Sequence, residues 1–267
     1  MAETKDKDRA MRKYLVTVWT AVLLAIPTIA PAVPADIDAA LVNPDRTAED
    51  REQDNARQPA RLLNFLGLEQ GDRVFDFVAA GGYYSELMAR AVGSEGVVMP
   101  HNMPGLVEQF GMREGLDARG YGTRIPNAVP FEYEIDEVAF EPNSIDFALF
   151  NMVFHDFWFV PAGSETPLSS DPVAFLATLY TGMKPGGIVG IVDHVGLAGS
   201  DPAAETQRAH RIDPATIRAM MAEAGFVLDG EADFLRNPED DHQLSVFAPE
   251  IRGQTDRVVY RFRKPHS

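Results

Sequence analysis

Residues 72–102 constrain this chain more tightly than any other segment. They read Asp-Arg-Val-Phe-Asp-Phe-Val-Ala-Ala-Gly-Gly-Tyr-Tyr-Ser-Glu-Leu-Met-Ala-Arg-Ala-Val-Gly-Ser-Glu-Gly-Val-Val-Met-Pro-His-Asn. The apolar run Val74–Val78, with Asp76 inside it, suits a buried parallel strand, and Gly81-Gly82 allow a tight turn close to a ligand. Tyr83–Val92 then places Leu87, Met88 and Ala91 at helical spacing, before a second apolar run at 96–100. In outline this is a strand–turn–helix–strand unit of the kind that binds nucleotides. A glycine pair alone is equally compatible with an empty strand-to-helix turn; Asp76 and the later turns favour a cleft.

The first 35 residues stand apart from that unit. Arg12-Lys13 precede an apolar stretch from Tyr14 to Ala30, and Ala-Pro-Ala-Val-Pro-Ala follows, the three-part layout of a secretory signal with a cut expected after Ala35. A retained anchor is the rival reading, but the stretch has only 17 residues and contains Pro27, whereas a span needs about 20 apolar residues. The sequence therefore predicts export, to the periplasm, with no stable membrane insertion after processing. The absence of cysteine removes lipid attachment through sulfur, disulfides and thiolate metal sites together.

Residues 36–267 are expected to form one α/β domain. They carry 19 basic against 37 acidic residues, about −18, which argues against nucleic acid as a partner. Periodicity predicts helix over 47–66 in two pieces, strands at 73–78 and 96–100, helix over 104–120 and a third strand at 129–135. Further strands are expected at 145–153, 188–193, 226–233 and 257–263. Asp171-Pro172 and Asp213-Pro214 are cap and first-turn pairs for helices over 171–182 and 213–224. With no helix between them, the last two strands can pair antiparallel.

Arg61-Leu-Leu-Asn-Phe-Leu-Gly-Leu, Gly71-Asp-Arg-Val-Phe-Asp, Gly81-Gly-Tyr-Tyr-Ser-Glu-Leu, Phe140-Glu-Pro-Asn-Ser-Ile-Asp-Phe, Met183-Lys-Pro-Gly-Gly and His210-Arg-Ile-Asp lie in order along the chain. In these segments the sequence resembles class I S-adenosylmethionine-dependent methyltransferases, and more narrowly their exported subgroup with Gly-Tyr-Tyr or Gly-Trp-Tyr after the first strand. The resemblance implies a Rossmann-like seven-stranded sheet with a reversed last strand, S-adenosylmethionine as cofactor and a small-molecule acceptor. It places the cofactor against Ala80, Gly81, Gly82 and Tyr83, with Asp76, Asn102, Asp136 and Asn151 as polar contacts.

Two departures from the family pattern are visible. The glycines of Asp-x-Gly-x-Gly-x-Gly fall on Val78, Ala80 and Gly82, and a β-branched residue at 78 resists positive φ. The acidic residue often found at the end of strand two is absent from Met99-Pro-His-Asn; His101 or Asn102 can offer one ribose bond but not a carboxylate's two oxygens.

A second polar group gathers at the carboxyl ends of strands four and five: Asn151, His155-Asp156, Asp193-His194 and, before the next helix, His210. His155 or His194 is a candidate general base, with Asp156 or Asp193 orienting the ring. Two other readings use the same residues, namely loop anchoring and a divalent metal site of two His and two Asp. A repurposed, non-catalytic binding protein on the same fold is the rival to an enzyme. Residues 157–170 are expected to cover the cleft, and Arg236–His242 to be a solvated turn; Arg257, Arg261 and Arg263 alternate on what is expected to be the last strand's exposed face.

Overall fold

The computed structural model describes residues 32–266. The expected signal segment lies outside the described residues except for positions 32–35. There Val33 accepts a hydrogen bond from the Gln70 N–H at 2.8 Å, and the Ala35 N–H donates to Leu68 at 3.0 Å. A cut after Ala35 would release both.

The strands are β1 (Arg73–Phe77), β2 (Val97–Asn102), β3 (Phe131–Glu132), β4 (Ile145–Asn151), β5 (Met183–His194), β6 (Val227–Ala232) and β7 (Arg257–Arg263). They form one seven-stranded sheet in the order β3-β2-β1-β4-β5-β7-β6. All neighbours from β3 to β5 pair parallel, and β7 runs antiparallel between β5 and β6. This is the expected α/β sheet with its last strand reversed. Strand order changes direction at β1 and β4, so a ligand cleft belongs beyond their carboxyl ends.

Alternation along the strands decides which side chains reach that cleft from which face. Val74 packs into the apolar cluster with α1 (Ile37–Val42), α3 (Pro59–Leu66) and α4 (Tyr83–Val92), while Phe75 and Phe77 pack into the cluster on the opposite face. A period of two turns Asp76 toward α4. Leu149 lies on that same face, so Asn151 follows it there. Gly190 in β5 lies so close under Leu66 that a methyl group would collide with the Leu66 Cδ1.

The remaining helices are α2 (Ala48–Arg57), α5 (Pro104–Gln109), α6 (Arg113–Arg119), α7 (Pro172–Gly182), α8 (Pro202–Ala209) and α9 (Pro214–Glu223). Asp171, Asp201 and Asp213 each cap a helix that begins with proline, accepting from the N–H of Ala174, Ala204 and Ala215. The second of these caps announces α8, which sequence periodicity did not predict.

Other differences have local causes. The helix expected over 104–120 divides at Gly111, whose φ is 61°. The third strand shortens to two residues. β5 starts at Met183 rather than 188, because Lys-Pro-Gly-Gly is accommodated as an irregularity between the Ile145↔Met183 and Phe147↔Ile188 pairs. Arg236–His242 is an exposed turn as expected except at Asp240, which forms an ion pair with Arg211 in which both side chains are fully buried, and Arg236 holds Asp256 at 2.7 Å. Arg257 is buried under α2, donating to the Ala56 carbonyl at 3.0 Å, while Arg261 and Arg263 both grip Asp229.

Candidate functional site

The turn from β1 into α4 takes the left-handed conformation at three alternate positions, with φ of 47° at Val78, 49° at Ala80 and 81° at Gly82. Val78 thus adopts the positive φ that its side chain opposes. Left-handed backbone costs a non-glycine residue about 1–2 kcal/mol, so two such residues need external support. The support comes from the end of β2. His101 accepts the Val78 N–H on Nδ1 at 3.3 Å and its carbonyl accepts the Ala79 N–H at 2.8 Å. Asn102 closes a two-way bridge, accepting the Ala80 N–H at 2.9 Å and donating to the Ala80 carbonyl at 3.2 Å. Both side chains are thereby engaged with the protein itself: the Asn102 amide with the loop, and the buried His101 ring, through its other nitrogen, with the Tyr133 carbonyl at 3.0 Å. Burial pushes the His101 pKa down to about 4, so the ring is neutral, as a nitrogen accepting from Val78 requires.

The loop forms one wall of a cavity of about 440 Å³, lined by Asp76, Val78, Ala80, Gly81, Tyr83, Asn151 and Asp156 from the sheet side. Gly82 does not line it, and a methyl group there would collide with the Tyr121 hydroxyl. Asp136 is also elsewhere, accepting from Ser169 Oγ at 2.9 Å and from the Ser170 N–H and hydroxyl at 3.0 and 2.6 Å. It anchors the entry to α7 and does not line this cavity.

The opposite wall comes from α2 and α6, which supply Asp50, Gln53, Arg57 and Arg119. Asp50, Gln53 and Arg57 share one helical face through their three- and four-residue spacing, which is visible in the sequence. Arg119 ties this wall to the loop, donating to the Gly81 carbonyl at 2.5 Å and pairing with both Asp50 and Glu86. The Glu86 carboxylate is fully buried; burial alone would raise its pKa, but Arg124, Arg90 and Arg119 hold it down to about 2. Tyr83 donates to Asp54 at 2.6 Å, and the Arg57 guanidinium lies 4.6 Å from the centre of the Tyr83 ring.

Two opposite charges in the cavity are left for a ligand. Arg57 has no ion-pair partner among the described residues. Asp76 receives one hydrogen bond, from Ser85 Oγ at 2.5 Å, and burial pushes its pKa up to about 7 against the opposing pull of that bond and of Arg57. The Asn151 amide also has no partner among the described residues.

A second cavity of about 440 Å³ adjoins the first, and Met152 and Asp156 line both. Its walls are largely apolar, with Leu106, Phe110, Phe159, Leu168, Val246 and Phe247, and its polar end holds His155, Asp156, His194 and His210. Of the expected covering segment, Phe159 and Leu168 do line this cavity, whereas Phe157 is fully buried in the core.

The His-Asp contacts run both across strands and along the chain. His155 Nδ1 lies 2.7 Å from Asp193 Oδ1, and the other Asp193 oxygen accepts the His155 N–H at 3.0 Å. His155 Nε2 is 3.3 Å from Asp156 Oδ1, which is 3.8 Å from His210 Nδ1. Burial opposes charge on the His155 ring, but Asp193 and Asp156 together outweigh it and hold its pKa up to about 9. The two carboxylates make the ring hold its proton more tightly than a free imidazole does, which weighs against the general-base role expected of His155. His194 is separate, with Nδ1 2.7 Å from Thr255 Oγ1, and burial lowers its pKa.

No protein-family model matches the chain, and no curated protein matches its sequence. Solved structures do. A S-adenosylmethionine-dependent methyltransferase from Aquifex aeolicus superposes with a TM-score of 0.54 at 16% identity, covering 81% of this chain and 97% of its own. One from Mesorhizobium loti gives 0.54 at 15%, covering 78% and 97%. Haemonchus contortus phosphoethanolamine N-methyltransferase 2, solved with S-adenosyl-L-methionine, gives 0.54 at 17%, covering 78% of this chain and 52% of its own. At these identities the likeness is one of fold: residues 32–266 have the architecture of S-adenosylmethionine-dependent methyltransferases.

Proposed function

We propose that this protein transfers a methyl group from S-adenosylmethionine to a small acceptor with an apolar body and a nucleophilic oxygen, nitrogen or sulfur atom. The observation that carries this reading is the pair of adjoining cavities meeting at Met152 and Asp156, one walled by the left-handed loop after β1. The residues fit the cofactor's amino-acid end. Arg57 offers a cation for its carboxylate, Asp76 an anion for its ammonium, and Ala80-Gly81 a wall with almost no side chain. When bound, the cofactor supplies an electrophilic methyl group on a sulfonium.

The chain's own residues would then orient and desolvate. The apolar walls of the second cavity exclude water, and holding an acceptor at the junction makes the encounter intramolecular. Asp156 faces both cavities and accepts a hydrogen bond from an acceptor's N–H or O–H. The His155–Asp193 pair fixes Asp156 from behind, so the base role falls to Asp156. An acceptor that is already nucleophilic needs only the positioning.

Calorimetric titration with S-adenosylmethionine and its demethylated product tests the reading. The parent should bind both, Arg57→Ala should weaken both by about 10-fold or more, and labelled methyl should reach an apolar acceptor. If the folded parent binds neither, the cleft belongs to a repurposed binding protein.

A further inference from the structure

We propose that His155 Nε2, Asp156 Oδ1 and His210 Nδ1 bind one divalent transition-metal ion, with its remaining coordination position open to the apolar cavity. One candidate ligand atom from each of the three residues lies within 4.8 Å of the others. Ligands tetrahedral about zinc at roughly 2.0–2.1 Å stand about 3.3 Å apart. The His155–Asp156 separation of 3.3 Å already matches, and the Asp156–His210 separation of 3.8 Å needs only a small rotation. Adjacent residues usually point apart, but the 3₁₀ turn His155–Trp158 brings these two side chains together. His194, a more obvious candidate from its position after Asp193, is engaged with Thr255 and is not part of the set.

The surroundings have the features of a metal site's outer shell. His155 turns Nδ1 to the fully buried Asp193, which also accepts the N–H groups of His155 and His194; this fixes the ring with Nε2 toward the cavity, where a bound cation takes the place of the Nε2 proton. A carboxylate behind a ligating histidine orients it and raises its basicity. Thr206 Oγ1 donates to the His155 carbonyl at 3.1 Å, joining the turn to α8. His210 ends α8 with a left-handed φ of 51°, and its ring sits 4.7 Å from Phe159 and 4.8 Å from Phe247, centre to centre. No lysine or arginine lines the cavity to repel a cation. With nitrogen and oxygen donors and no thiolate, the set suits zinc, manganese or ferrous iron.

Three protein ligands and an open position are the arrangement of a cation that acts on a bound molecule rather than one that only staples a fold. Its use on a methyl acceptor rests on the function proposed above, but the binding of the ion does not. The test is therefore made on the full chain without cofactor. After dialysis against chelator, zinc is titrated by calorimetry and cobalt(II) by its visible absorption. One ion per chain is expected, with binding weakened at least 10-fold by His210→Ala and by Asp156→Asn, and unchanged in His194→Gln. His155→Gln tests the third ligand but removes a buried partner of Asp193. The exposed-side variants, checked for unchanged circular dichroism, carry the decision. Absence of saturable binding by the parent, or parental affinity in folded His210→Ala, would overturn the site whether or not S-adenosylmethionine binds.

Discussion

Replacing Ala80 by glycine should stabilise this protein, the reverse of what glycine does in an ordinary loop. Ala80 is exposed at φ 49°, so the substitution removes little packing and relieves about 1–2 kcal/mol of left-handed strain. The more flexible unfolded chain takes back about 0.4–1 kcal/mol, leaving roughly 0.5–1 kcal/mol of net stabilisation. For a domain of this size that is a rise in Tm of about 1–4 °C. Val78→Gly gains the same relief but loses a half-buried side chain packed on the core cluster, about 1–2 kcal/mol, and should be near neutral. Gly82→Ala should cost about 2–5 kcal/mol, because it adds strain at φ 81° to a collision with the Tyr121 hydroxyl. Urea midpoints at constant m-value read all three. A lower midpoint for Ala80→Gly would mean that the backbone at 80 is not left-handed, and the account of the cofactor wall would fail with it.

Two further outcomes follow from the same region and from the amino end. The folded-state pKa of Asp76 is raised from 3.8 to about 7, so the stability its neutral form contributes is complete below the unfolded value and lost as pH rises through 7. Asp76→Asn should therefore gain up to about 4 kcal/mol over the parent at pH 8 and little at pH 4, while S-adenosylmethionine affinity of the parent should climb through pH 7 and that of the variant should not; parallel pH curves would remove Asp76 from the site. A chain beginning at Asp36 lacks the hydrogen bonds of Val33 and Ala35 and should be about 1–3 kcal/mol less stable than one beginning at Ala32, as thermal melts of the two would show, and the intact mass of exported protein would locate the cut.

The sheet was legible because its strands are largely apolar runs, and α3, α7 and α9 because proline opens each of them beside an apolar face. Of the residues expected at the cofactor, Asp76, Ala80, Gly81, Tyr83 and Asn151 line the first cavity, and Gly82, Asn102 and Asp136 do not. Half of that cavity was not foreseen, because α2 is polar on every face and periodicity has no apolar stripe there to follow; the face bearing Asp50, Gln53 and Arg57 shows only once α2 is seen against the loop. Arg119 was hidden for a different reason. It reaches the Gly81 carbonyl from 38 residues away, a distance over which sequence spacing carries no geometric information. Strand ends located the histidine cluster but left open whether Asp156 or Asp193 orients a ring, because spacing along the chain does not say that His155 meets Asp193 across β4 and β5 as well as its neighbour Asp156.

The two departures from the methyltransferase pattern, glycine lost at 80 and the acidic residue lost at the end of β2, are one structural change. The Asn102 amide both accepts from and donates to Ala80, which an ionised carboxylate cannot do. A carboxylate at 102 would keep the bond from the Ala80 N–H but face the Ala80 carbonyl with a second negative oxygen. Asn102→Asp should accordingly cost about 1–3 kcal/mol, largely because the bridge that holds alanine in a left-handed conformation is cut. In the Ala80→Gly background the backbone holds that conformation without help, so the same substitution should cost less, with a coupling of about 0.5–1.5 kcal/mol in a double-mutant cycle. Denaturant midpoints of the four proteins measure the coupling. Strict additivity would show that Asn102 and Ala80 are independent and that the loss of the carboxylate needs another explanation. Coupling in the expected direction would mean that the amide stands at the end of β2 because alanine stands in the loop.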